Sequence, residues 1–124
     1  MSEISTSANG LTTADLSAED AKLLTMARQA RARIGAIEGA AVRDGDGRTY
    51  TGATIALPSL NVSALQLAVA GAAAAGATVL EAAAVITEAS TADAAGYAAV
   101  RDLASAAPLY VAAPDGSLSS VLTA

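Results

Sequence analysis

The run Asn61–Gly76, NVSALQLAVAGAAAAG, is uncharged and mostly alanine. From Val62 to Leu80 the chain carries no charged residue at all. Alanine has the highest helix propensity, and Leu, Gln and Val sit comfortably beside it. The run therefore reads as a helix of about four turns closed by Gly76. A helix that is apolar on every face has to be covered on every face. It is expected to be the central helix of a small domain, with a sheet on one side and something else on the other.

The chain around it has 124 residues, enough for one domain with one core. Apolar residues make up 53%, yet Phe, Trp and Cys are absent and three tyrosines supply all the aromatic rings. Such a core must come from close backbone approach and small side chains. The net charge of −5 argues against nucleic acid as a partner, since phosphate binding needs a basic surface. Five of the seven basic residues do lie between Arg28 and Arg48, which reads as a solvated helix face followed by a hairpin turn. With no Cys there are no disulfides and no thiolate metal sites, and with no His there is no imidazole chemistry.

MSEISTSANG lacks a basic segment followed by an apolar one, so no signal peptide is expected. Val62–Leu80 approaches the length of a membrane span, but it is Ala and Gly with Ser63 and Gln66, without Leu/Ile/Phe density or flanking anchors. The expectation is a cytoplasmic protein with no membrane partner.

Outward from the central helix, residues 1–15 are rich in Ser, Thr, Gly and Asn and read as a flexible tail, leaving 16–124 as a single domain. Ser17 is a candidate N-cap, with Glu19 and Asp20 in the first turn. Leu23, Met26, Ala27, Ala30 and Ile34 then recur at helical spacing, giving a helix over Ala18–Arg33 that ends at Gly35. Ile37–Arg43 and Arg48–Ala56 form an antiparallel hairpin around Asp44-Gly45-Asp46-Gly47. Gly39 and Gly52 inside those strands mark close approach of other backbone. Pro58-Ser59 reads as a breaker and then a cap for the central helix. Thr78–Glu88 reads as a strand, Ala92–Ser105 as a helix capped by Ser90 or Thr91, and Pro108–Ala113 as a strand before a Pro114-Asp115-Gly116 turn. Ser117–Ala124 reads as a short strand or a partly ordered tail. The order α-β-β-α-β-α-β implies a mixed sheet with helices packed on it.

Gly39-Ala40-Ala41-Val42, then Asp46-Gly47, then Tyr50 and Gly52, resembles the hairpin of the cytidine deaminase family. Ser63-Ala64-Leu65 through Gly76 lies over that family's C-A-E helix. Thr91–Gly96 takes the place of its P-C-x-x-C turn, and Leu109-Tyr110-Val111 with Asp115-Gly116 resembles its last strand and turn. The likeness runs from about Ala18 to Val121 and implies a three-layer α-β-α fold. It also implies assembly as dimers or tetramers through helices that include the central one.

The resemblance fails where the chemistry would be. A zinc deaminase holds Zn²⁺ with three side chains, and a Glu that is not a ligand shuttles the proton. The positions that the resemblance assigns to the ligands are Ser63, Asp93 and Gly96, and Leu65 stands at that of the Glu. The ribose-holding Asn-x-Glu falls on Thr54 and Ala56, and a substrate-facing aromatic on Ala36. Loss of a general acid/base alone costs about 10²–10⁴ in rate. No His or Cys elsewhere can slide into register. Other chemistries fare no better. Ser63 as nucleophile would need Lys22, the sole lysine, which belongs to the first helix. Asp93 reads as a first-turn residue favouring the helix dipole. Asp44–Gly47 lacks the further acids of a calcium loop and opens no helix for phosphate.

The expectation is a non-catalytic homologue, without zinc or other cofactor, acting as a structural or protein-interaction module and homo-oligomer. A nucleoside- or small-molecule-binding module without turnover is the second reading, and an active hydrolase of the cytidine deaminase type the third.

Overall fold

The structure, a computed structural model, describes residues 4–7, 12–104 and 106–123. In chain order these form β1 (Ile4–Ser7), a single 3-10 turn at Thr13–Asp15, α1 (Ala18–Ile34), β2 (Gly39–Asp44) and β3 (Thr49–Ala53). There follow β4 (Ile55–Leu57), β5 (Leu60–Val62), α2 (Ala64–Ala74), β6 (Leu80–Ile86), α3 (Ala94–Leu103), β7 (Pro108–Ala112) and β8 (Leu118–Thr123). Six strands make one sheet in the order β1-β8-β7-β6-β2-β3, parallel only between β6 and β7. This is the mixed sheet of the three-layer α-β-α arrangement.

The helices begin and end for local reasons. Ser17 Oγ accepts from the Asp20 amide at 3.1 Å, and Glu19 and Asp20 put negative charge at the positive end of α1. Gly35 at φ 61° closes that helix in the left-handed conformation glycine tolerates. Leu23, Leu24 and Ala27 bury the inner stripe of α1 against Ala41, Ala82, Ala84, Ile86 and Tyr110 on one sheet face. The alternate residues Ala40, Val42, Ala83, Val85, Leu109 and Val111 face α2 and α3 on the other. A strand turns successive side chains to opposite faces, so the Ala- and Val-rich strands serve two thin cores at once. Small side chains are required because the helices lie almost on the sheet. A Cβ on Gly39 would overlap the Ala27 carbonyl, and one on Gly52 would overlap that of Ala64.

The fold departs from the sequence reading in several places. The central helix starts at Ala64, not Asn61, because Ile55–Leu57 and Leu60–Val62 pair as a small hairpin turned by Pro58-Ser59. Ser59 is therefore a turn residue, and Ser63 is the cap. The strand expected over Arg48–Ala56 breaks at Thr54, between β3 and β4. Asp93, not Ser90 or Thr91, caps α3. Within residues 1–15, read as a loose tail, Ile4–Ser7 adds a strand to the outer edge of β8. An open strand edge recruits backbone hydrogen bonds without needing apolar side chains.

The central helix is also not covered all round. Ala64, Leu65, Ala68, Val69 and Ala72 are buried, whereas Ala70, Gly71, Ala73 and Ala74 are exposed. Sheet and α3 cover one side; the second side faces outward in the single chain. Among the described residues no helix is long and apolar enough to cross a membrane.

Candidate functional site

Four strand ends meet along one edge of the sheet. Gly39 pairs with both Ala53 and Ile86, and Ile86 with Ala112, so the start of β2 and the ends of β3, β6 and β7 lie in a row. The chain leaves β3 through the β4–β5 hairpin to reach the N-terminus of α2. It leaves β6 through Thr87–Ala92 to reach that of α3. Both helix N-termini thus come to this edge, and with them the positions singled out in the sequence.

Ser63 Oγ accepts from the Gln66 amide at 3.1 Å, and Gln66 Oε1 accepts from the Ser63 amide at 3.0 Å. This reciprocal pair is a capping box, which satisfies two amides that the first turn leaves without partners. Lys22, the only base a Ser63 nucleophile could use, is exposed on α1, across the sheet. Asp93 Oδ2 accepts from the Gly96 amide at 2.7 Å, capping α3. Asp93 Oδ1 is buried without a hydrogen-bond partner.

Leu65 is fully buried. A Cβ built on Gly96 would lie 2.6 Å from Leu65 Cβ and 2.7 Å from Asp93 Oδ1. Three of the four positions that the resemblance assigned to metal and proton shuttle, Leu65, Asp93 and Gly96, are therefore brought together, and Ser63 caps the helix that carries Leu65. The space a ligand at residue 96 would need is taken by Leu65. A capping Ser, one Asp carboxylate and a glycine do not fit Zn²⁺, which takes four tetrahedral donors drawn from N, S and carboxylate O. Among the described residues no three of His, Cys, Asp or Glu converge as a metal-binding group.

The positions assigned to substrate are differently placed. Thr54 Oγ1 accepts from the Glu38 amide at 3.1 Å and donates to the Glu38 carbonyl at 3.4 Å, locking the start of β2 to the end of β3. Ala56 lies in β4, is exposed, and pairs with Asn61. Ala36 lines a cleft of about 490 Å³ with Arg31, Gly35, Ile37, Glu38, Thr87, Glu88 and Ala89.

That cleft holds polar residues that the sequence reading missed. Thr87 is 2% exposed; its Oγ1 donates to Glu38 Oε2 at 2.6 Å and accepts from the Ala89 amide at 3.0 Å. Arg31 Nε donates to the Ile37 carbonyl at 3.2 Å, and its Nη2 lies 3.6 Å from Glu88 Oε2. Glu38 and Thr87 are 49 residues apart and meet only through the pairing of β2 with β6. No local signal could have joined them. The Asp44–Gly47 turn, in contrast, spends its carboxylate internally. Asp44 Oδ1 accepts from the Asp46 and Arg48 amides, each at 2.9 Å, and Oδ2 from the Tyr50 hydroxyl at 2.9 Å. Burial opposes ionisation of Asp44, but these bonds prevail and hold its pKa below the usual carboxylate value.

A family model described as cytidine deaminase-like matches residues 16–116. Solved structures similar in fold include three cytidine deaminases. The cytidine deaminase from Burkholderia pseudomallei is 22% identical, with a TM-score of 0.69, covering 80% of this chain and 88% of that one. The cytidine deaminase from Mycobacterium tuberculosis is 23% identical, with a TM-score of 0.61 over 77% of this chain and 85% of that one. The enzyme from Mycobacterium leprae is 21% identical, with a TM-score of 0.61 over 82% and 90%. Among curated proteins no match was found.

Proposed function

Because the chain belongs to the cytidine deaminase-like family, we propose that it is a non-catalytic member, acting as a homo-oligomeric structural or protein-interaction module. The observation that carries this reading is the contact between Leu65 and Gly96, with a Cβ on Gly96 only 2.6 Å from Leu65 Cβ. It puts hydrocarbon where the family's chemistry would need a proton shuttle and a metal ligand. Ser63 and Asp93 are committed to capping α2 and α3. That leaves none of these four positions to activate a water molecule or move a proton to a leaving group. Purified protein supplied with zinc is expected to convert neither cytidine nor deoxycytidine above the uncatalysed blank. Turnover that a chelator abolishes would overturn the reading.

The interaction role draws its support from α2. Its outward face offers Ala70, Gly71, Ala73 and Ala74, and the preceding hairpin exposes Leu57 and Leu60 at 58% and 52%. Small residues allow close backbone approach by a second helix, and exposed apolar area is what association removes from water.

A ligand-binding module without turnover remains the second reading, favoured by the Ala36–Glu38–Thr87 cleft. A ligand that binds only the folded state raises the melting temperature. A nucleoside and nucleotide panel in which one compound does so dose-dependently would support it; a flat panel would dismiss it.

A further inference from the structure

We infer that direct packing of Leu65 on Gly96 is the staple that joins α2 to α3 at this edge, in the place where the family's chemistry calls for a metal bridge. The inference rests on the non-catalytic reading and deepens it. Both helices pack on the sheet, the first turn of α2 against Gly52, and the contact adds a direct tie between the two helix N-termini. Each is closed by its own cap, Ser63 with Gln66 and Asp93 with Gly96, and neither cap reaches across to the other helix. What crosses is apolar contact. Leu65, Ala68, Val69, Tyr97 and Val100 belong to one buried cluster. At Gly96 the missing side chain lets the backbone of α3 lie against Leu65 Cβ.

Two consequences separate a staple from an incidental contact. The seam has no tolerance for a side chain at residue 96. Its closure also does not depend on any metal. Overpacking a closed seam typically costs enough to lower Tm on the order of 10 °C in a domain of this size. Gly96→Ala is expected to show such a fall. Leu65→Gly removes one of the groups that the new methyl meets, the Leu65 Cβ, and leaves the other, the Asp93 carboxylate. The double variant Leu65→Gly/Gly96→Ala is therefore expected to lose less than the sum of the two single losses. A Gly96→Ala protein melting within about 2 °C of wild type, or an additive cycle, would overturn the staple.

Hydrogen exchange on the wild-type chain needs no variant to fold. After exhaustive chelation, the Gly96 amide is expected to exchange as slowly as amides of β6. Exchange as fast as in the Asp46–Gly47 turn would overturn the inference. The two readings fail separately. An additive cycle without turnover removes the staple alone. Zinc-dependent turnover removes the non-catalytic reading, and with it the staple.

Discussion

Ser63 and Asp93, at positions that the resemblance assigns to metal ligands, are the N-caps of α2 and α3. Each accepts a hydrogen bond from the amide three residues on, and each begins a helix. Replacing either by Ala is expected to cost about 1 kcal/mol, the usual value of an N-cap, as read from urea unfolding. A loss several-fold larger at Ser63 would show that it does more than cap. Asp44 gives the residue-scale pH dependence. Its folded-state pKa is depressed by donors from Arg48, Tyr50 and Asp46, so the native state favours the carboxylate. Its contribution is fully present above the ordinary carboxylate pKa and is lost as pH falls through the lowered one. The urea midpoint is expected to decline on acidification from pH 5 to 3, and Asp44→Asn should flatten part of that decline.

At the scale of the element, α1 is attached to the sheet by a partly buried polar cluster as well as by Leu23, Leu24 and Ala27. Arg43 on β2 pairs with Asp20 at 2.9 Å and with Glu81 on β6 at 3.1 Å. The Tyr110 hydroxyl on β7 donates to Asp20. Burial, and then the Asp20 carboxylate, push the Tyr110 phenol well above its ordinary pKa. The Arg43 and Asp20 side chains are only 16% and 14% exposed. Removing one partner leaves a largely desolvated charge. Arg43→Ala is expected to destabilise by about 3–5 kcal/mol, most of it restored by the second substitution Asp20→Asn. A double variant that loses the sum of the Arg43→Ala and Asp20→Asn single losses would show that the pairing contributes nothing.

For the molecule as a whole, the open question is what covers the second side of α2. With Ala70, Gly71, Ala73 and Ala74 outward, a second copy of this chain is the occupant we favour. Light scattering after size exclusion at micromolar concentration is expected to give a dimer or tetramer. Ala74→Arg, which introduces a charge where the side chain is exposed in the single chain, should shift the mass to a monomer and spare the fold. A wild-type chain that is strictly monomeric would refute the oligomer and leave the α2 face for another protein.

Much of this was legible in residues read one segment at a time. The lack of His and Cys, the Ala-rich central helix, the caps and stop of α1, and Gly39 and Gly52 as close approaches all follow from side-chain chemistry and local propensity. The ordered run of weak hairpin and helix motifs was enough to indicate the fold family. Local patterns could not foresee the β4–β5 hairpin, since three-residue strands carry too little periodicity to register. Tertiary structure alone decided which positions meet. It placed Glu38 on Thr87, Asp20 on Arg43 and Tyr110, and Gly96 on Leu65, each pair far apart in the chain. It also decided that α2 is buried on one side only. Propensity and composition are properties of a segment, whereas contact depends on strand register and on where each crossover returns the chain. Two readings of the same alanine run, covered on both sides or on one, differ only in what the rest of the fold brings against it.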